Sequence, residues 1–118
     1  MQTLFVSDWW KAGVDGNEPD RECEPQAGYY RARFVEGGPW VAVQIWAERD
    51  GRGGGRWHMQ ARAGAEVADG NKGEFLDVAE AWAIARPVPV STFRQCVARN
   101  QRAGRASWFA PVRVLEAV

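Results

Sequence analysis

The groups able to do covalent or metal chemistry are few: one histidine, His58, and two cysteines, Cys23 and Cys96. A Cys–His nucleophile pair needs both side chains within hydrogen-bond reach, and nothing in the spacing brings them together. His58 sits in a strand-like stretch between Trp57 and Met59, and Cys96 falls on the apolar side of a helical pattern, where a thiol is usually inert. The cysteines form no Cys-x-x-Cys, and three scattered His and Cys residues fall short of a zinc ligand set. Two stretches imitate ligand loops. Asp15-Gly16-Asn17-Glu18-Pro19-Asp20 gathers oxygen ligands, but its glycine is second rather than sixth and no glutamate closes the loop in register, which excludes an EF-hand. Gly51-Arg52-Gly53-Gly54-Gly55-Arg56 is glycine-rich, yet no Gly-Lys-Ser/Thr follows and no helix begins there, so it reads as a flexible hairpin tip and not as a phosphate loop. Neither catalysis, metal nor cofactor is expected. The chemistry that remains is non-covalent recognition.

Two sets of side chains could carry recognition. Residues 8–26 hold Asp8, Asp15, Glu18, Asp20, Glu22 and Glu24 against Lys11 and Arg21, a local charge of −4. Carboxylates displayed this way can imitate the phosphates of a nucleic acid and enter the basic groove of a partner. A partner-binding site is therefore expected from Asp15, Glu18, Asp20, Glu22 and Glu24, with Trp9, Trp10 and Trp108 as exposed aromatic anchors. The second set is basic: residues 94–118 hold Arg94, Arg99, Arg102, Arg105 and Arg113 against Glu116, a local charge of +4. Arginine makes bidentate contacts with phosphate, so Arg94, Arg99, Arg102 and Arg105, joined by Arg52 and Arg56, form the alternative, nucleic-acid-binding site.

These residues need elements to hold them. Thr3–Val6 reads as a short strand, and residues 13–26, with no periodicity, as an acidic irregular loop. Tyr29–Val35 alternates, with Tyr30, Ala32 and Phe34 opposite Arg31, Arg33 and Val35. Glu36-Gly37-Gly38-Pro39 supplies a turn, and Trp40–Trp46 alternates again, giving an antiparallel hairpin. Arg56–Arg62 adds a third strand, extended through Ala65–Ala68. The period then changes: Phe75, Val78, Ala79, Trp82 and Ala83 recur at helical spacing, ending before Pro87. A further helix runs from about Pro89 to Ala103 with Gly104 just beyond, placing Phe93, Cys96, Val97 and Asn100 on its inner side. Ser107–Leu115 reads as an edge strand pairing with Thr3–Val6. Of the seven tryptophans, Trp40, Trp46, Trp57 and Trp82 are expected in the core.

The architecture expected is α+β: a small curled antiparallel sheet of four or five strands with two helices packed on one side. At 118 residues and 46% hydrophobic, the chain is read as a single domain, residues 1–118, with a core that needs no disulfide or metal. Net charge is zero, which excludes a uniformly basic surface for nucleic acid or anionic lipid. With no basic lead followed by an apolar run near Met1, and no run long enough to span a bilayer, a cytoplasmic protein with reduced thiols and no membrane partner is expected.

The stretch Gly28-Tyr29-Tyr30-Arg31-Ala32-Arg33-Phe34-Val35-Glu36-Gly37-Gly38-Pro39-Trp40-Val41-Ala42-Val43-Gln44-Ile45-Trp46 resembles a segment of small uncharacterised phage and prophage proteins, in which a Gly-Tyr-Tyr-Arg strand leads into Gly-Gly-Pro-Trp-Val. The likeness continues loosely through Trp82, Arg86-Pro87-Val88 and Phe93-Arg94. Ala42 stands where that family commonly carries proline, and residues 1–27, with the acidic loop, have no counterpart. The resemblance implies a mobile-element origin, a bacterial host cytoplasm and no catalysis. From it follows the leading expectation, a phage-type inhibitor of a host defence nuclease complex, of the anti-CRISPR kind, acting by protein–protein contact. The alternatives are a small nucleic-acid-binding module using the arginine helix and a self-assembling virion accessory.

Overall fold

The computed structural model describes residues 2–3, 6–17, 20–49, 55–70 and 72–111. Along the chain these form β1 (Gln2–Thr3), α1 (Asp8–Val14), β2 (Gly28–Ala32), β3 (Val41–Arg49) and β4 (Trp57–Ala63). A 3-10 turn (Val67–Asp69) then leads to β5 (Glu74–Leu76), α2 (Val78–Ile84), β6 (Arg86–Pro87), α3 (Val90–Ala103) and α4 (Arg105–Trp108). The strands make an open sheet in the order β5-β4-β3-β2-β6, antiparallel throughout, with β1 beside the far end of β3. The α+β class is as expected.

The central strand explains the layering. Residues 41–47 of β3 are buried on both faces, where simple alternation predicts one wet face. Val43 and Ile45 pack with Tyr30, Ala61, Ala81 and Trp82, beneath α2. Ala42, which points the other way, packs with Phe93, Cys96 and Val97 of α3. The two helices expected on one side are therefore divided between opposite faces. A strand apolar on both sides has to be covered on both.

The expected hairpin of β2 and β3 forms, its register running from Gly28↔Ile45 to Ala32↔Val41, but β2 stops three residues short of Val35 and β3 runs on from Trp46 to Arg49. The inner side of α3 is Phe93, Cys96, Val97 and Asn100, all buried, and Gly104 at φ +86° ends the helix. Elsewhere local signals overrode the expectation. Asp8–Val14 is helical, not the end of a strand or the start of a loop, because Ser7 caps it by accepting from the Trp10 amide at 3.1 Å and Asp8 favours its first turn. Phe75 belongs to β5 and not to a helix. Asp77, whose carboxylate accepts from the Glu80 amide at 3.0 Å, caps α2 and starts it two residues after the strand.

Ala65–Ala68 does not extend β4. Gly64 turns the chain at φ +77°, and a 3-10 turn follows. A Cβ at Gly64 would collide with the indole of Trp108, so both the conformation and the close approach require glycine. The edge strand expected at Ser107–Leu115 is corrected over its described part. Arg105–Trp108 is a helical turn that sinks Trp108 between Val41 and Ala63. Residues 112–115 and positions 4 and 5 of the expected N-terminal strand lie outside the described residues; β1 pairs with β3.

Candidate functional site

The expected aromatic anchors separate once placed. Trp10 is 8% exposed, packs over Gly28 and donates from Nε1 to the Tyr29 carbonyl at 2.5 Å. Trp108 is 5% exposed and donates to the Asn100 carbonyl at 3.0 Å. Both belong to the core, not to the surface. Trp57, expected inside, is half exposed and has Arg49 near its ring. The indole surplus thus falls at different positions from those the ends of the chain suggest.

Trp9 is half-buried and holds the acidic loop. Its ring lies 4.8 Å from that of Trp82, and the Arg21 guanidinium sits 5.4 Å from one and 5.3 Å from the other. Arg21 also donates to the Trp82 carbonyl at 2.9 Å, and Trp9 Nε1 donates to the Asp20 carbonyl at 3.1 Å. The loop that reads as irregular is thereby anchored, with Asp15, Asp20, Glu22 and Glu24 exposed around the anchor. Glu18 lies outside the described residues. Cys23, in the same loop, is a free exposed thiol.

The arginine side of α3 is partly neutralised. Arg94 donates to Glu66 at 2.6 Å, and Arg105 makes a two-pronged contact with Glu74. Hydrogen bonding to Arg105 holds the Glu74 carboxyl below its usual range, and the same bonds raise both guanidinium groups above theirs. Arg99 and Arg102 remain exposed on α3, and Arg56 is exposed before β4. Arg52 lies outside the described residues.

A different group of arginines comes together at the sheet edge. In β2, Arg31 stands directly opposite Arg86 of β6, a like-charge pair that a sheet ordinarily avoids. Arg31 and Arg33 both reach the indole of Trp40, their guanidinium carbons 4.3 and 4.2 Å from the ring centroid. Among the described residues none of Arg31, Arg33 and Arg86 has a carboxylate within ion-pair distance. Beside them opens a cleft of about 700 Å³ lined by Arg21, Arg33, Trp40, Ala83, Ile84, Ala85 and Arg86. Arg33 and Arg86, without a carboxylate partner among the described residues, concentrate positive potential beside this concave, partly apolar wall.

The fold fixes Trp40 from below. Asn100, 2% exposed, donates to the Trp40 carbonyl at 3.0 Å and accepts from the Ala42 amide at 2.8 Å, spanning Val41. Cys96 donates to the same Trp40 carbonyl at 3.3 Å, and burial pushes its thiol above the ordinary cysteine range. Arg86 is placed by β6, which the Val88 amide extends by donating to the Tyr29 carbonyl at 3.1 Å. Sequence alternation already puts Arg31 and Arg33 on one side of a strand. Arg86 was hidden, because two residues between a helix and a proline carry no strand pattern.

Arg62 is a useful contrast. It is 4% exposed, lies 4.8 Å from the Phe75 ring and donates to the carbonyls of Glu66 and Gly70. Its donors are used inside the protein, so it is structural. Among the described residues no group of three or more His, Cys, Asp or Glu side chains could hold a metal, and no helix is long and apolar enough to cross a membrane. Comparison with protein-family models, with curated proteins and with solved structures finds no match.

Proposed function

We propose that this protein is a non-catalytic recognition module for nucleic acid and that its contact is the cleft at the β2–β6 edge, not the outer side of α3. One observation carries the reading: Arg31, Arg33 and Arg86 gather about Trp40 with no carboxylate partner among the described residues. Stacking on an indole holds a guanidinium plane in place while leaving N–H donors for phosphate oxygens. Less side-chain freedom is then lost on binding. Titration of the intact chain against a labelled oligonucleotide at several salt concentrations tests this. Affinity should fall linearly on a log–log salt plot, with a slope reduced by about one for each of the three arginines removed. Binding that ignores salt, or that survives replacement of all three, refutes it.

A second reading is favoured by the anchored acidic loop. Arg21, clasped by Trp9 and Trp82, holds Asp20, Glu22 and Glu24 at the surface in a fixed place. Preordered carboxylates suit the basic groove of a host defence nuclease complex, the anti-CRISPR type of inhibitor that the phage resemblance implies. Its test is inhibition of such a purified complex, competed by the complex's own nucleic acid and abolished by Asp20→Lys, Glu22→Lys and Glu24→Lys together. Inhibition left intact by those reversals would dismiss the loop as the contact.

A further inference from the structure

The shape and lining of the arginine–tryptophan cleft specify more than an affinity for phosphate. A duplex carries its phosphates on a convex rod and keeps its bases stacked inside, so it is met best by an open basic face. Here the cations line a recess of about 700 Å³, the size class that encloses a small-molecule-sized ligand. The walls are unlike each other. One carries Arg33, Trp40 and Arg86, with Arg31 against the same indole behind them; the other is the apolar end of α2 and the residue after it, Ala83, Ile84 and Ala85, where Ile84 stays 39% exposed. A bare phosphate uses only the first wall. A ligand that is anionic at one end and flat and apolar at the other uses both, and guanidinium planes and aromatic rings both stack unpaired bases.

We infer that the cleft takes one unpaired nucleotide of a single strand. Its phosphate lies against Arg33 and Arg86, and its base lies between the Arg–Trp40 stack and Ile84. This rests on the nucleic-acid reading above and adds the form of the ligand.

The experiment is fluorescence anisotropy with the full chain and three probes at one salt concentration. They are an oligothymidine of about twelve nucleotides, a blunt duplex of that length, and a single strand of that length in which every base is abasic. The intact single strand should bind at least about tenfold tighter than either of the others. Ile84→Ser, a neutral change at an exposed position, should erase most of that preference. Equal binding of duplex, or of the abasic strand, overturns the single-nucleotide inference but leaves the salt-dependent nucleic-acid reading standing. No salt-dependent binding to any of the three overturns both, and capture of polyglutamate instead assigns the cleft to an acidic polypeptide.

Discussion

The outer side of α3 and the edge of β2–β6 are both built from arginine, yet the fold treats them differently. On α3, Arg94 meets Glu66 and Arg105 meets Glu74, so half of the four cations that look most like a nucleic-acid footprint are spent within the chain. At the sheet edge, Arg31 faces Arg86 across a ladder and Arg33 joins Arg31 on one indole, with no carboxylate partner among the described residues. A cation's worth to a partner depends on what the fold has already placed beside it, and a count along the sequence does not contain that. The repulsion accepted at the edge has to be offset by cation–π contact with Trp40 and by the buried clamp from Asn100 beneath it.

The largest effect separates the two sides of α3. Phe93 is fully buried between Ala42 and Tyr29, its ring 5.0 Å from that of Tyr29. Phe93→Ala should cost about 3–5 kcal/mol in urea unfolding. Arg99→Ala and Arg102→Ala, on the exposed side of the same helix, should each change stability by no more than about 0.5 kcal/mol. A large loss from either arginine would mean that the outer side is structural and not merely solvated. Next in size is the binding contrast. Replacing Arg31, Arg33 and Arg86 together by Ala should weaken oligonucleotide binding on the order of a hundredfold. Replacing Arg94 and Arg105 should weaken it less than about threefold, because each is already paired. The opposite ranking would return the contact to the helix.

What could be read beforehand follows from the range of the interactions involved. The hairpin, α3 with its four inner residues, and the α+β class rest on periodicity over many residues, and they emerge as expected. The short elements do not: α1, β5 and β6 are two to seven residues long, α1 fixed by a capping serine and β5 and β6 by pairing to distant strands. Trp10 and Trp108 look exposed because they sit near the ends of the chain. Gly28 and Gly64 make the space that buries them, and only the tertiary fold shows which indole each glycine serves. The candidate site shares this property. Arg31 and Arg33 were visible on one side of a strand, but Arg86 comes from a segment without a pattern, so the cluster exists only after β6 docks on β2.

A smaller effect reports on the clamp beneath Trp40. Cys23 is exposed, whereas Cys96 is buried, with its thiol donating to the Trp40 carbonyl. A thiol-reactive disulfide reagent should therefore modify one of the two cysteines in the native protein and both in denaturant, since burial lowers both access and the thiolate fraction. Asn100→Ala leaves the Ala42 amide without its side-chain partner and the Trp40 carbonyl with the Cys96 thiol alone. It should speed native-state modification of Cys96 and weaken oligonucleotide binding together. If Cys96 becomes reactive while binding is unchanged, Trp40 does not depend on α3 for its place.

The smallest effect uses acid to tell the two arginine regions apart. Glu74, hydrogen-bonded to Arg105, has a folded pKa below the unfolded value of about 4.3. Its contribution to stability is therefore fully present above that unfolded value and is lost as pH falls through the lowered folded one. The stability difference between the wild type and Glu74→Gln should stay constant from neutrality to about pH 5 and shrink below it. Oligothymidine binding should show no such limb below about pH 5, since Arg31, Arg33 and Arg86 have no carboxylate partner among the described residues whose protonation would release them. A rise in affinity as acid breaks the Glu74 pair would identify the freed Arg105 as the stronger contact. The two regions would then exchange roles.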